Sequence, residues 1–217
     1  MLSGNELLDY TREYIHEAIA DFWTDAKLLV AFKMSQKKWA MKMQRAAERV
    51  FYTSCVIPFV AGTGSYLLPN GTDYSAAKKC MGKIDFIQTG TDLPLQKCDY
   101  RRFYDATTRG TPKYIAITGN YLHLRPIPNS VVNFNLFYPY FPTAIALTGA
   151  EIDFIEGYEG LIALDVAKTA MLKDEADVSD IRMELAELWN DFKSTYCGNR
   201  IEGEADEPQT SIYEEEE

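Results

Sequence analysis

The sequence predicts an α+β protein, mainly α-helical, in which segments from both chain ends form a four-helix bundle with a small antiparallel β insertion. Apolar residues recur at helical spacing in residues 1–57 and 151–198. Residues 58–150 are instead punctuated by glycine and proline and contain runs that alternate apolar with polar side chains. Residues 199–217 are acidic and poor in apolar side chains, which is typical of an extended tail. We therefore predict one helical domain from the two end segments, a β-rich insertion, and a tail that docks on a partner.

Two helices are predicted in the N-terminal segment. Ser3 followed by Glu6 makes a capping-box pattern at the start of the first helix. Thr24 and Asp25 can cap the second helix, whose period continues to about Cys55.

The second helix carries a basic flank beside its apolar face. This basic stripe has spacings of four, three and four residues and consists of Lys38, Lys42, Arg45 and Arg49. Three interpretations remain open: a solvated face, a docking surface for an acidic partner or a neighbouring copy, and a channel wall that meets nucleic acid.

Turn residues divide the middle of the chain into short strands. Residues 89–92 predict the turn of one hairpin, and Gly119-Asn120 predicts the turn of another. A short helix is expected at 99–106. The predicted strands are 66–68, 84–88, 93–97, 113–118, 121–125 and 131–138. Basic side chains gather around this sheet at Lys97, Arg101, Arg102, Arg109, Lys113 and Arg125.

The C-terminal segment predicts two more helices, at 157–172 and 177–196, and the polar side of the last one is acidic. Of the 32 acidic residues, eight lie in 201–217, which contain no base, so the rest of the chain is near neutral despite the net charge of −10. This balance argues against tight electrostatic binding of nucleic acid.

Chemistry-bearing motifs are missing from the sequence. His16 and His123 stand alone, and the four cysteines do not form a Cys-x-x-Cys pair. The chain contains no nucleotide-binding glycine motif, zinc-protease motif or nucleophile elbow. It also contains no apolar run long enough to span a bilayer and no secretory signal. We therefore expect a soluble cytoplasmic protein that is not an enzyme, has no cofactor or metal, and does not bind membranes.

Four motifs, in order along the chain, carry a resemblance to a known family. Phe22-Trp23-Thr24-Asp25 resembles a helix-start motif, and Tyr66-Leu67-Leu68-Pro69 is similar to a Tyr-x-Leu-Pro motif that opens a β-rich region. Gly110-Thr111-Pro112 and then Leu122-His123-Leu124-Arg125-Pro126-Ile127-Pro128 resemble a Gly-x-Pro and a Leu-x-Leu-x-Pro-x-Pro motif. Together they resemble the head-to-tail adaptor proteins of tailed bacteriophages. Lys27, two residues after the helix-start motif, departs from the family pattern, because an acidic residue is common at that position.

The resemblance implies a structural virion protein that forms a ring of twelve copies beneath the portal at the neck, after assembly in the host cytoplasm. Genome DNA would pass through its lumen without sequence-specific contacts. The basic stripe would line the lumen or a subunit interface. Sheet residues would face the next tail component: Arg109, Lys113, Gly119, Asn120 and Arg125. The tail would dock on the portal through Ile201, Ile212, Tyr213, Glu214 and Glu215.

Two other classes of function stay open at this stage. The first is a DNA-binding regulatory protein that uses the basic second helix, against which the net charge speaks. The second is a small hydrolase or nuclease, against which the missing catalytic set speaks.

Overall fold

The computed structural model describes residues 1–16, 22–47, 50–70, 78–88, 94–103 and 108–197. Within them lie four helices, α1 (Gly4–Ile15), α2 (Asp25–Ala46), α3 (Gly160–Lys173) and α4 (Ser179–Cys197), and a 3-10 turn at Tyr100–Phe103. The strands are β1 (Tyr52–Phe59), β2 (Ser65–Leu67), β3 (Phe86–Gln88), β4 (Gln96–Lys97), β5 (Arg109–Gly110), β6 (Tyr114–Thr118), β7 (Tyr121–Arg125), β8 (Ile127–Pro128) and β9 (Val132–Pro139).

The four helices are arranged around α3, so the predicted four-helix bundle is wrong. Helix α3 packs against α1, α2 and α4. Residues 161–167 of this helix are all buried, among them Leu161, Leu164 and Ala167. A helix segment that is buried on every side lies inside a protein rather than at the corner of a bundle. The period of the apolar residues predicted the helices but could not reveal that one of them is central.

The middle of the chain is too large to be a small insertion, which is the second error in the predicted fold. Its strands form three sheets with the orders β1-β9-β3, β2-β7-β6-β4 and β5-β8. Strands β1 and β9 pair antiparallel along their full length, from Tyr52 opposite Pro139 to Phe59 opposite Val132. Two of the sheets share a hydrophobic cluster separate from that around α3; it includes Ile57, Leu124 and Leu136. The predicted division into a helical domain, a β-rich insertion and a tail stays an interpretation.

The end of α2 differs from the prediction. The helix stops at Ala46, and Tyr52 to Cys55 belong to β1 instead of the predicted helix. Phe51 has a φ of +51°, a left-handed backbone conformation that is uncommon outside glycine. Pro58 lies within β1, which an edge strand tolerates because its outer N–H groups need no partner.

Several local predictions are confirmed. Ser3 and Glu6 form both hydrogen bonds of a capping box, and the Thr24 hydroxyl accepts from the Lys27 N–H. Gly119-Asn120 closes the β6–β7 hairpin, in which Thr118 lies opposite Tyr121. The predicted hairpin through 89–92 stays a prediction, because its turn lies outside the described residues. The Leu95 N–H donates to the Ile87 carbonyl at 2.8 Å, although β3 and β4 belong to different sheets.

Gly4 lies where the start of α1 meets the loop before α3, and this close contact predicts that a larger residue destabilises the fold. A Cβ at this residue would overlap the carbonyl oxygen of Ala146, a backbone atom that cannot swing away. We expect Gly4→Ala to lower the free energy of unfolding by about 1–3 kcal/mol, although alanine favours helix. The matched control is Gly149→Ala, whose added Cβ meets nothing within 4 Å. Urea denaturation measures both; equal stabilities for the two variants would contradict the predicted overlap.

Candidate interaction surfaces

Asp165 in the buried helix α3 binds one end of the predicted basic stripe. The Lys38 ammonium lies 2.7 Å from Asp165 Oδ1, and the Ser35 hydroxyl donates to Oδ2 at 3.0 Å. Lys168 adds a second cation at 3.2 Å. Burial raises the pKa of Asp165, but the hydrogen bonds and charges of Lys38, Ser35 and Lys168 outweigh it and hold the pKa below its ordinary value. Lys38 therefore has a structural role in joining α2 to α3.

Lys42, the next residue of the basic stripe, lies between two tryptophan rings. Its ammonium is 4.2 Å from the centre of the Trp39 ring and 4.1 Å from that of Trp189 in α4. Burial lowers the pKa of Lys42, and the neighbouring charges of Lys38 and Lys193 lower it further. This cation–π contact joins α2 to α4. Arg45 is exposed, whereas Arg49 lies outside the described residues.

Four of the predicted tail-facing residues lie at the two ends of the β6–β7 hairpin, and the fifth lies in β5. Lys113 and Arg125 are at one end of the hairpin, where the Lys113 N–H donates to the Arg125 carbonyl at 2.9 Å. Gly119 and Asn120 form the exposed turn at the other end, about 13 Å away along five-residue strands. Arg109 is exposed in β5. The structure thus brings Lys113 and Arg125 together and keeps the turn apart from them; the role of all five residues stays a prediction.

An aromatic face on the same sheet was missed by the sequence analysis. Tyr114, Tyr121 and Tyr100 are each at least 40% exposed. His123 lies among them, with its ring centre 4.6 Å from that of Tyr100. The signal was present in the alternation of β7, where Tyr121, His123 and Arg125 point to one side and Leu122 and Leu124 to the other.

His123 hydrogen-bonds within its sheet and has no carboxylate partner there among the described residues. Its two ring nitrogens hydrogen-bond to the hydroxyls of Ser65, at 2.8 Å, and Thr118, at 2.6 Å. Burial lowers its pKa, and the Arg125 charge lowers it further, so the ring is neutral at pH 7. Across the described ranges, no three His, Cys, Asp or Glu side chains are grouped as a metal site.

Two cavities in the described part of the chain lack a catalytic arrangement of side chains. One, of about 460 Å³, is lined mainly by loop and strand residues around Lys113 and Pro128. A second, of about 350 Å³, lies between α1 and α4 and is lined by Glu13, His16 and Asp180 among others. Among the helices of the described part of the chain, none has the length and apolar composition needed to cross a bilayer.

Two of the acidic side chains of α4 accept hydrogen bonds from tyrosines of the same chain. Glu184 accepts hydrogen bonds from Tyr14, at 2.6 Å, and Tyr10, at 3.2 Å, both in α1. Asp191 accepts one from Tyr158 at 2.8 Å. The acidic helix is therefore joined to its own neighbours on one side, while Asp180 and Glu187 are exposed. The tail residues proposed for docking, Ile201, Ile212, Tyr213, Glu214 and Glu215, all lie outside the described residues.

The comparison with protein families gives a match along nearly the whole chain. A family model described as SU10 adaptor protein matches residues 4–207, from the first residue of α1 to beyond α4. No curated protein matches the sequence. The match covers both groups of helices and all three sheets. The chain therefore belongs to the SU10 adaptor family, whose members are phage head-to-tail adaptors, structural proteins of the virion neck.

Proposed function

We propose that this protein assembles into a closed ring of twelve copies that joins the portal to the next tail component and lets DNA pass through its lumen. The family match over residues 4–207 is the observation that carries the proposal. An adaptor of this kind acts by packing against its neighbours in the virion.

A head-to-tail ring needs two different complementary surfaces on each subunit. The chain offers basic and acidic helices, α2 and α4, that could fill these roles. A lumen through which DNA moves should make few strong phosphate contacts, because each additional contact raises the electrostatic affinity for the duplex. The near-neutral body of the chain suits this requirement.

The tail supplies the contact with the portal in this proposal. Residues 201–217 contain eight acidic residues and, among them, the apolar pair Ile212-Tyr213. An acidic segment with an aromatic anchor can wrap a basic groove and place its apolar side chains in a pocket.

One imaging experiment tests both the ring and the tail. Negative-stain images of the full-length protein mixed with its portal should show an added ring beneath the portal. Images of the protein alone should show no ring. Deletion of residues 201–217 should abolish this docking, with circular dichroism unchanged because the described helices and sheets all precede the deletion. A portal without added density in the full-length mixture would contradict the adaptor assembly, and normal docking by the truncated protein would contradict the role of the tail.

The DNA-binding alternative receives less support from the side chains of α2. Lys38 binds Asp165, and Lys42 lies between two tryptophans. Salt-sensitive binding of duplex DNA by the isolated protein would favour that alternative.

A further inference from the structure

A second stripe on α2 faces away from the protein. Its members recur at spacings of three and four residues on the side opposite the buried Phe32 and Met43: Lys27, Val30, Met34, Lys37, Met41 and Arg45. Val30 is 59% exposed, Met34 69% and Met41 39%. We call this set the outer α2 stripe. It spans about 27 Å of helix. Alternating steps of three and four with apolar residues inside are the pattern of a seam that packs on another helix.

Helix α4 has an outward stripe of the same kind, which we call the outer α4 stripe. Its members again follow steps of three and four: Asp180, Met183, Glu187, Asn190 and Ser194. All of them are exposed, and Met183 is 61% exposed. The opposite side of the helix carries the buried Ile181, Leu185 and Phe192. Each stripe therefore lies away from the core around α3, on a helix of its own.

The two outer stripes have complementary charge. The ionisable members of the outer α2 stripe are all basic, whereas those of the outer α4 stripe are acidic. Several other charges of these helices have partners within the protein: Lys38 on Asp165, Lys42 on the tryptophans, and Glu184 and Asp191 on tyrosines. Lys37, Arg45, Asp180 and Glu187 are exposed on the outer stripes, whereas the exposed Arg182 and Lys193 of α4 lie outside its stripe. Opposite charge at the surface, with an apolar centre, fits a contact between copies of the chain.

An antiparallel alignment matches the two stripes residue by residue. When Met41 is placed opposite Met183, Lys37 falls opposite Glu187 and Arg45 falls beside Asp180. The same alignment sets Met34 opposite Asn190. A parallel alignment that places Val30 opposite Met183 pairs Lys27 with Asp180 but sets Met34 against Glu187. A parallel alignment that keeps Met41 opposite Met183 also gives two charge pairs, but α2 then ends opposite Leu188 and covers only the first half of α4. The antiparallel alignment gives two charge pairs around the methionine contact while α2 lies along the full length of α4.

We propose that α2 of one copy packs antiparallel on α4 of the next copy, with Met41 against Met183 and Lys37 against Glu187. The inference rests on the proposed cyclic assembly and assigns its subunit contact. Because the two surfaces differ, each added copy leaves one stripe of each kind free until the ring closes. The interface thus uses Lys37, Met34 and Met41 rather than Lys38 and Lys42.

Disulfide crosslinking tests the methionine contact directly. The double variant Met41→Cys/Met183→Cys, oxidised in the presence of portal, should give a ladder of covalent oligomers, because every copy carries both halves of the contact. Each single variant should give no ladder, and the wild-type protein reports any background from the four native cysteines. A ladder from Val30→Cys/Met183→Cys in place of the Met41 pair would overturn the antiparallel alignment, and no ladder from either pair would overturn the contact.

Charge reversal tests the same contact without new cysteines. Lys37→Glu or Glu187→Lys alone should weaken assembly with portal at least about tenfold, because like charges then face each other across the interface. The combined swap Lys37→Glu/Glu187→Lys should restore it. Lys79→Glu is the matched control, since it makes the same charge change at an exposed residue outside both helices. Failure of the swap to restore assembly would contradict the pairing; loss of duplex DNA binding in Lys37→Glu, without rescue by Glu187→Lys, would assign the stripe to DNA instead.

The two proposals fail separately. Docking of the wild-type protein on the portal, together with no ladder from either cysteine pair and no rescue by the charge swap, would overturn the α2–α4 contact and leave the adaptor assembly in place. A ladder with rescue, but no docking on the portal, would overturn the adaptor assembly and leave the α2–α4 contact in place.

Discussion

Phe192→Ala is expected to lower the free energy of unfolding by about 3–5 kcal/mol, the largest effect of any single substitution considered for this protein. Phe192 is fully buried in α4. Its ring stacks on Trp189, with centres 5.3 Å apart, and on Tyr196, at 5.0 Å, and it meets the edge of Tyr158 at 5.4 Å. Truncation would remove these contacts and leave a cavity between α4 and the start of α3.

The size of this effect follows from the position of α4. The helix is held to α3 by its buried apolar side and to α2 by Trp189 against Trp39, at 5.6 Å. Phe192 is adjacent to both contacts, so neighbouring side chains cannot close the cavity without moving Trp189. Cavities that cannot collapse give the larger losses within the usual range.

Phe22→Ala is the control for this substitution. It removes the same atoms from a side chain that is 60% exposed, and its expected loss is about 1 kcal/mol or less. Equilibrium urea unfolding, followed by circular dichroism at a wavelength that reports helix, measures both variants. A loss below about 2 kcal/mol for Phe192→Ala would show that α4 is packed more loosely than the structure indicates.

The sequence predicted the local elements well because their signals are local. The capping box at Ser3 and Glu6, the helix start at Thr24, and the turn at Gly119-Asn120 each depend on residues within a few positions of one another. The apolar face of α4 was also predicted, and Ile181, Leu185 and Phe192 are buried. Each of these features follows from the period of one element.

The errors arose where a distant partner decides the structure. Val50 happens to continue the helical period of α2, but residues 52–59 pair with β9, and that pairing cannot be read from the segment itself. Its aromatic and β-branched residues, among them Tyr52, Val56 and Ile57, were the overlooked signal. Likewise, the parallel pairing of β4 with β6 joins segments that the chain order presented as separate hairpins.

The same limit applies to the candidate surfaces. Sequence spacing places Lys38, Lys42 and Arg45 on one stripe, but it does not reveal that Asp165 and Trp189 come from other helices to meet the first two. Only the packing of α3 and α4 separates basic residues that hold the fold from those that face outward. The interface inferred above therefore shifts from Lys38 and Lys42 to Lys37 and its methionine neighbours.

The second large effect is expected at Asp165, the buried carboxylate of α3. We expect Asp165→Ala to lower the free energy of unfolding by about 3 kcal/mol at pH 7, near the lower end for breaking a buried ion pair. The substitution leaves the buried Ser35 hydroxyl without its acceptor and removes the counter-charge of Lys38 and Lys168. Lys38 is more than half exposed and regains water, which keeps the loss from being larger.

The contribution of Asp165 should also depend on pH in a defined direction. Burial raises its pKa, but hydrogen bonds and charges from Lys38, Ser35 and Lys168 lower it more, so the folded-state pKa lies below the ordinary value of 3.8. A carboxyl group with a lowered pKa stabilises the fold above the unfolded-state pKa, and that stabilisation disappears as the pH falls through the folded-state pKa. The stability difference between wild type and Asp165→Asn should therefore be full at pH 5–7 and shrink below about pH 4.

Comparing the two proteins at each pH cancels the titration of the other carboxyl groups. Asp85→Asn serves as the control, because Asp85 forms only a longer ion pair, at 3.6 Å, with the largely exposed Lys83, and its removal should cost less than about 1 kcal/mol. A wild-type advantage over Asp165→Asn that stays constant from pH 7 to pH 3, or one that grows on acidification, would mean that the carboxylate of Asp165 is not held in its charged form by Lys38 and Ser35. In that case α2 and α3 would be joined by their apolar contacts alone.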